Sequence, residues 1–92
     1  MERAAKIKMF IEFGKKIQMD LGGFENAKPY AGRLLIILQD QQMDKFFEGV
    51  LRLLCHPNIK CNFGEEILEM KDDKELALAF VGGLVGELED NE

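Results

Sequence analysis

The chain has 92 residues, of which 47% are hydrophobic and 32% charged, and its net charge at neutral pH is −5. A chain of this length builds one hydrophobic core, so we expect a single small domain over residues 1–92. No apolar run, residues 34–38 included, reaches the roughly 18 residues of a membrane span, so we expect no membrane partner. Residues 1–12 lack the apolar stretch of a signal peptide, and two cysteines with five methionines suit a reducing compartment. The expected location is therefore the cytoplasm.

The charge is divided unevenly along the chain. Residues 1–60 hold ten Lys and Arg against seven Asp and Glu, whereas residues 61–92 hold two against ten. The two parts therefore carry net charges of +3 and −8. An acidic stretch of this kind is either an interaction surface or an ordinary solvated helix face, and both interpretations stay open here. Because the basic residues are interleaved with acids, we expect no direct binding of DNA or RNA.

The N-terminal stretch fits a β-hairpin better than a helix. Apolar residues stand at every second position in two runs: Ile7, Met9, Ile11 and Phe13, then Ile17, Met19 and Leu21. Such alternation is typical of strands, and residues 14–16 form a glycine-containing connection of hairpin length. A helix would place Gly14 in its interior at a cost of about 1 kcal/mol relative to alanine. We predict strands over 6–13 and 16–21, with a helix as the alternative because Ala, Glu, Lys and Met favour it.

Three helices are predicted after Gly22 and Gly23. The first covers about 29–40, with Asn26 as a candidate N-cap and Pro29 in the first turn. The second, 43–54, has a clear amphipathic repeat, and the third, about 73–89, begins with a capping-box-like Asp72 and Glu75. Residues 65–70 are either short helical turns or an extended piece. The predicted fold is α+β and mainly α-helical, an N-terminal β-hairpin followed by about three helices, with an all-α helical bundle as the alternative.

No catalytic arrangement is visible in the sequence. Cys55, His56 and Cys61 form the only cluster with metal-ligand chemistry, but zinc needs a fourth ligand, and their spacing matches no zinc knuckle or finger. A Cys–His nucleophile pair is also disfavoured, because adjacent residues rarely point at one another. We therefore predict no metal, no cofactor and no enzymatic activity.

The predicted partner-binding surface combines acidic residues with glycines of the last helix. A Gly-x-x-x-Gly pair permits close approach of another helix, which is either internal packing or a groove for a partner. Acidic residues attract and orient a basic partner. The residues predicted to bind a partner are Glu65, Glu66, Glu69, Asp72, Asp73, Gly82 and Gly86.

One family resemblance adds to this interpretation. The alternating stretch of residues 7–21 followed by helices, and the helix end, His-Pro-Asn loop and acidic stretch that begin with residues 53–58, resemble the layout of bacteriophage tail assembly chaperones. The resemblance implies a protein that holds tail components before assembly and has no enzymatic activity.

The sequence thus predicts a non-enzymatic protein–protein interaction module, a small assembly chaperone or a subunit of a larger complex. Its expected partners are proteins, among them further copies of itself in a homo-oligomer. One alternative is an acidic decoy that mimics nucleic acid and blocks a nucleic-acid-binding protein. The other is a small metal- or thiol-dependent enzyme built on Cys55, His56 and Cys61.

Overall fold

The computed structural model describes residues 2–60 and 63–86. These residues form four α-helices and one 3₁₀ helix: α1 (Arg3–Leu21), α2 (Phe24–Gln39), α3 (Met43–Leu54), the 3₁₀ segment (Glu65–Lys71) and α4 (Lys74–Val85). The described part of the chain contains no strand, so the prediction of an α+β fold with an N-terminal hairpin is wrong, and the all-helical alternative is confirmed. None of the described helices is long and apolar enough to cross a membrane.

Helix α1 runs through the whole stretch predicted as a hairpin. The residues that it buries repeat at intervals of four, three and four, as a helical stripe does: Phe10, Gly14, Ile17 and Leu21. The alternation in the sequence has a different origin, because Met9, Ile11 and Phe13 are half-buried on the flanks of this stripe. Met19, which the strand pattern placed inside, is 73% exposed.

The link between α1 and α2 depends on two glycines with positive φ. Gly22 (φ 104°) donates its N–H to the carbonyl of Met19, and the Gly23 N–H reaches back to the carbonyl of Gln18 at 2.9 Å. This pair of bonds is a Schellman closure, which satisfies the last carbonyls of a helix. Helix α2 then begins at Phe24, earlier than predicted, and Asn26 lies in its first turn, where the side-chain amide donates to the Leu21 carbonyl at 2.7 Å.

The core is built around the first and last described helices. Helix α1 packs mainly against α4, and α2 also contacts α4, while α3 lies against α2 and the 3₁₀ segment. Helix α3 has the predicted bounds, whereas the N-cap of α4 is Asp73 and not the predicted Asp72. The predicted end of this last helix, residues 87–89, lies outside the described residues. The largest fully buried side chains come from every one of these elements: Phe10, Ile17, Leu38, Phe46, Val50, Met70, Leu76, Phe80 and Leu84.

Helices α1 and α4 run parallel to each other. Arg3 near the start of α1 bonds to Asp73 at the start of α4, and Gln18 near the end of α1 donates to the Leu84 carbonyl at 3.0 Å. The fold therefore places the N-terminal ends of both helices at one end of the molecule.

Glycine permits the close crossing of α1 and α4. A Cβ on Gly14 would lie 2.6 Å from the Leu84 nitrogen, and one on Gly83 would overlap the Ile11 carbonyl, 2.8 Å from its carbon. The contacted atoms are backbone and cannot turn aside. The close helix approach predicted for Gly82 and Gly86 is thus made inside the molecule by neighbouring Gly83, while Gly86, with φ 71°, ends α4.

Candidate functional site

The acidic residues predicted to bind a partner lie in two different environments. Asp73 accepts the Leu76 N–H at 3.3 Å and forms a two-pronged pair with Arg3, at 2.6 and 2.9 Å. Arg3 also bonds to Glu75 at 2.7 Å, and Glu69 pairs with Lys6 at 2.8 Å. These pairs tie the acidic part of the chain to the basic face of α1.

The pKa values at the start of α4 reflect this pairing. The side-chain hydrogen bonds from Arg3, together with that from the Leu76 amide, hold the pKa of Asp73 below its ordinary value of 3.8, although partial burial opposes the shift. The hydrogen bonds to Asp73 and Glu75 raise the pKa of Arg3 in turn. Asp73 is therefore a charged, structurally engaged residue rather than a free surface carboxylate.

Three of the predicted acidic residues are exposed and have no ion pair in the described chain. Glu65, Glu66 and Asp72 form no side-chain ion pair within residues 2–60 and 63–86. Leu68, which lies among them in the 3₁₀ segment, has 49% of its surface exposed. This part of the predicted surface, the acidic patch around Leu68, combines three carboxylates and one apolar side chain with the exposed Lys71.

A groove that the sequence did not predict lies between α2 and α3. The α2–α3 groove encloses about 430 Å³, and its wall residues repeat at helical spacing along each helix: Tyr30, Arg33, Leu34 and Ile37 from α2, and Lys45, Glu48, Gly49, Arg52 and Leu53 from α3. Gly49 leaves room for the Leu34 side chain, since a Cβ there would stand 2.9 Å from Leu34 Cδ2. Cys55 and His56 complete the lining after α3 ends.

The lining of the α2–α3 groove is apolar between the helices and mainly positive at its edges. Arg33, Lys45 and Arg52 are exposed, and none of the three has an ion pair within the described chain. Glu48 is the single acid among the lining residues. A positive groove in a protein whose net charge is −5 is suited to carboxylate-bearing ligands, because guanidinium groups bind carboxylates through two hydrogen bonds.

Tyr30 and His56 stand at the end of the groove where α3 gives way to the following loop. Their rings meet edge to face with centroids 6.2 Å apart. His56 Nδ1 accepts the Asn58 N–H at 3.0 Å, so this nitrogen is already used within the loop. A second depression of about 490 Å³ shares Tyr30, Arg33 and His56 with the groove and continues toward Leu21.

The cluster with metal-ligand chemistry is only partly visible. Cys55 is an exposed free thiol, and Cys61 lies outside the described residues. In the parts of the chain that the structure covers, no three His, Cys, Asp or Glu side chains come together in a way that could hold a metal ion.

No protein-family model, curated protein or solved structure matches this chain. The resemblance to tail assembly chaperones therefore stays a prediction from the sequence, and the function has to be argued from the surface of the molecule.

Proposed function

We propose that this protein is a non-enzymatic protein–protein interaction module that binds its partner in the α2–α3 groove. The observation that carries the proposal is the combination of an apolar floor with Arg33, Lys45 and Arg52, cations that have no ion-pair partner in the described chain. A groove between two helices suits an amphipathic segment, whose apolar side chains enter between the helices while its polar side chains meet the edges.

The residue types in the groove support this proposal. Tyrosine and arginine are enriched among the residues that dominate binding energy at interfaces, and the groove offers Tyr30, Arg33 and Arg52 together. The complementary partner segment is acidic, because it has to neutralise the cations at the edges. In this proposal the protein is a small assembly chaperone or a subunit of a larger complex. It acts in the cytoplasm, where the exposed thiol of Cys55 stays reduced.

The acidic decoy is less well supported than the groove. Mimicry of nucleic acid requires an unbroken array of negative charges, but Arg3 and Lys6 neutralise part of this one by pairing with Asp73, Glu75 and Glu69. The exposed Glu65, Glu66 and Asp72 remain candidates for a second contact surface. Gly82 and Gly86 belong to the helix that packs against α1, so the groove replaces them as the leading candidate site.

The proposal is tested by affinity capture with charge-matched variants. The protein is immobilised, exposed to a lysate of its source organism, and the retained proteins are quantified by mass spectrometry. We expect Arg33→Glu with Arg52→Glu to reduce capture of the specific partner at least about tenfold, because both residues meet the partner's carboxylates.

The control is Lys8→Glu with Lys74→Glu, which changes the net charge equally on exposed positions outside the groove. Both double variants must keep the far-ultraviolet circular dichroism of the parent. Equal capture by the two double variants would show that the groove is not the binding surface.

A further inference from the structure

We infer that the α2–α3 groove receives the 3₁₀ segment of a second copy of this chain, so that copies associate head to tail. This inference rests on the proposed function and names the partner of the same groove. It joins two surfaces that the fold leaves exposed on each molecule: the positive groove and the acidic patch around Leu68.

The 3₁₀ segment presents Leu68 as a firmly held apolar projection. Its neighbours Ile67 and Met70 are buried in the core, which fixes the backbone of the segment. Lys71 extends over the Phe47 ring, with Nζ 5.7 Å from the ring centroid. Leu68 is exposed all the same, so its side chain is available to enter an apolar groove on another molecule.

The charges of the two surfaces are complementary. In a 3₁₀ helix residues three apart share a face, which places Glu65 and Lys71 beside Leu68 and puts Glu66 and Asp72 on the neighbouring face. Glu65, Glu66 and Asp72 bring three negative charges without an ion pair in the described chain, and the groove brings three cations against Glu48. The segment thus offers one exposed apolar side chain with an excess of carboxylates over Lys71, which matches an apolar floor edged by ammonium and guanidinium groups.

The two surfaces lie on opposite sides of α3, so one molecule cannot satisfy both by itself. Phe47 faces the 3₁₀ segment, whereas Lys45 and Arg52 line the groove. At roughly 100° per residue, Phe47 stands about 160° around the helix from Lys45 and about 140° from Arg52. Each copy therefore keeps one surface of each kind free, which is the requirement for a heterologous, repeating contact.

A symmetric contact between two grooves is disfavoured by the same charges. It would bring Arg33, Lys45 and Arg52 of one copy against the same residues of the other, and like charges at an interface repel. A contact through one short segment is small, so we expect a dissociation constant in the micromolar range and strong weakening by salt.

The test is sedimentation equilibrium of the whole chain at low ionic strength. We expect the weight-average molar mass of the parent to rise with concentration. We expect Arg52→Glu and Leu68→Asp each to raise the dissociation constant at least about tenfold. The Arg52→Glu variant has an impaired groove and an intact 3₁₀ segment, whereas the Leu68→Asp variant has an impaired segment and an intact groove. An equimolar mixture should therefore form a 1:1 dimer and nothing larger. Lys8→Glu, an exposed position of α1 outside both surfaces, serves as the charge control and should behave like the parent.

Three results would overturn the inference: a parent that stays monomeric at millimolar concentration, variants that associate like the parent, or a mixture that stays monomeric. The mixture is made only from variants that keep the circular dichroism of the parent, so a mixture of folded variants that stays monomeric identifies a different contact. If the parent is monomeric but captures another protein through the groove, the proposed function stands and the head-to-tail contact does not. If capture is unaffected by the groove variants, the proposed function fails on its own.

Discussion

Replacing Gly83 with alanine tests the close crossing of α1 and α4. The added Cβ would overlap the carbonyl oxygen of Ile11 and lie 2.8 Å from its carbon and 3.1 Å from its Cα. All three atoms belong to the backbone of α1, so no rotamer change can relieve the overlap. Helix α1 would have to move away from α4, and that movement would loosen the packing of fully buried Phe10.

The expected loss of stability is the difference between two effects. Alanine is favoured over glycine in a helix by about 1 kcal/mol, which stabilises the variant. Overpacking of a core costs about 1–3 kcal/mol, and the upper part of that range applies where backbone meets backbone. We expect a net loss of about 1–2 kcal/mol, which lowers the melting temperature of a domain of this size by about 5–15 °C.

The matched control is Gly32→Ala in the interior of α2. Nothing lies within 4 Å of a Cβ added there, so the helix preference acts alone and the variant should gain about 0.5–1 kcal/mol. Urea unfolding followed by circular dichroism measures both changes as shifts of the midpoint at constant slope. A Gly83→Ala variant as stable as the Gly32→Ala variant would refute the close crossing.

Three further outcomes can be measured on the same protein. The pKa of Asp73 is lower in the folded state than its ordinary value of 3.8, so the stability that Asp73 supplies is complete above that value and disappears as the pH falls through the folded-state pKa. The urea midpoint should therefore drop between about pH 5 and pH 2, and less steeply in an Asp73→Asn variant; identical slopes would contradict the pairing with Arg3. Gly23→Ala should destabilise by about 1–3 kcal/mol through backbone strain alone, because φ is 119° and ψ −178° although nothing stands within 4 Å of the new Cβ. In a Cys61→Ser background, attaching a bulky maleimide to Cys55 should block partner binding without changing the melting temperature, and unimpaired binding would argue against the groove.

The sequence predicts the elements whose apolar residues form one regular stripe at helical spacing. Helix α3 packs one face on α2 and the 3₁₀ segment, so its apolar spacing is regular and its bounds were predicted correctly. Helix α1 contacts α4, α2 and Phe63, whose ring lies 4.7 Å from that of Phe13. Its apolar residues are consequently spread over more than one side, and that spread produced a false alternation.

Gly14 illustrates why local preference misled the prediction. As an isolated residue, glycine opposes a helix, and the hairpin was preferred partly for that reason. In the fold, Gly14 lies where the backbone of α4 comes closest, a tertiary requirement that only the complete structure displays. The conflict between local preference and fold marks the closest helix contact in the molecule.

The candidate site could be predicted only in part. The exposed acids Glu65, Glu66 and Asp72 were recognisable from composition, but their neighbours Glu69 and Asp73 pair with residues more than sixty positions away. The groove required knowledge that α2 and α3 lie side by side. In the sequence, Arg33 and Arg52 are two of the basic residues interleaved with acids, and the single local signal is a glycine, Gly49, inside an amphipathic helix.

The parallel arrangement of α1 and α4 has a consequence for how the chain folds. Two parallel helices cannot be joined by a tight turn. The chain connects α1 to α4 through α2, α3 and the 3₁₀ segment. The contact between α1 and α4 therefore joins residues that are far apart in sequence, and contacts of large sequence separation slow folding. During synthesis α1 emerges before the other described helices, and the part of it that packs on α4 stays uncovered until α4 has left the ribosome. Helix α1 is thus synthesised before the other described helices, and its main packing partner, α4, is synthesised after them.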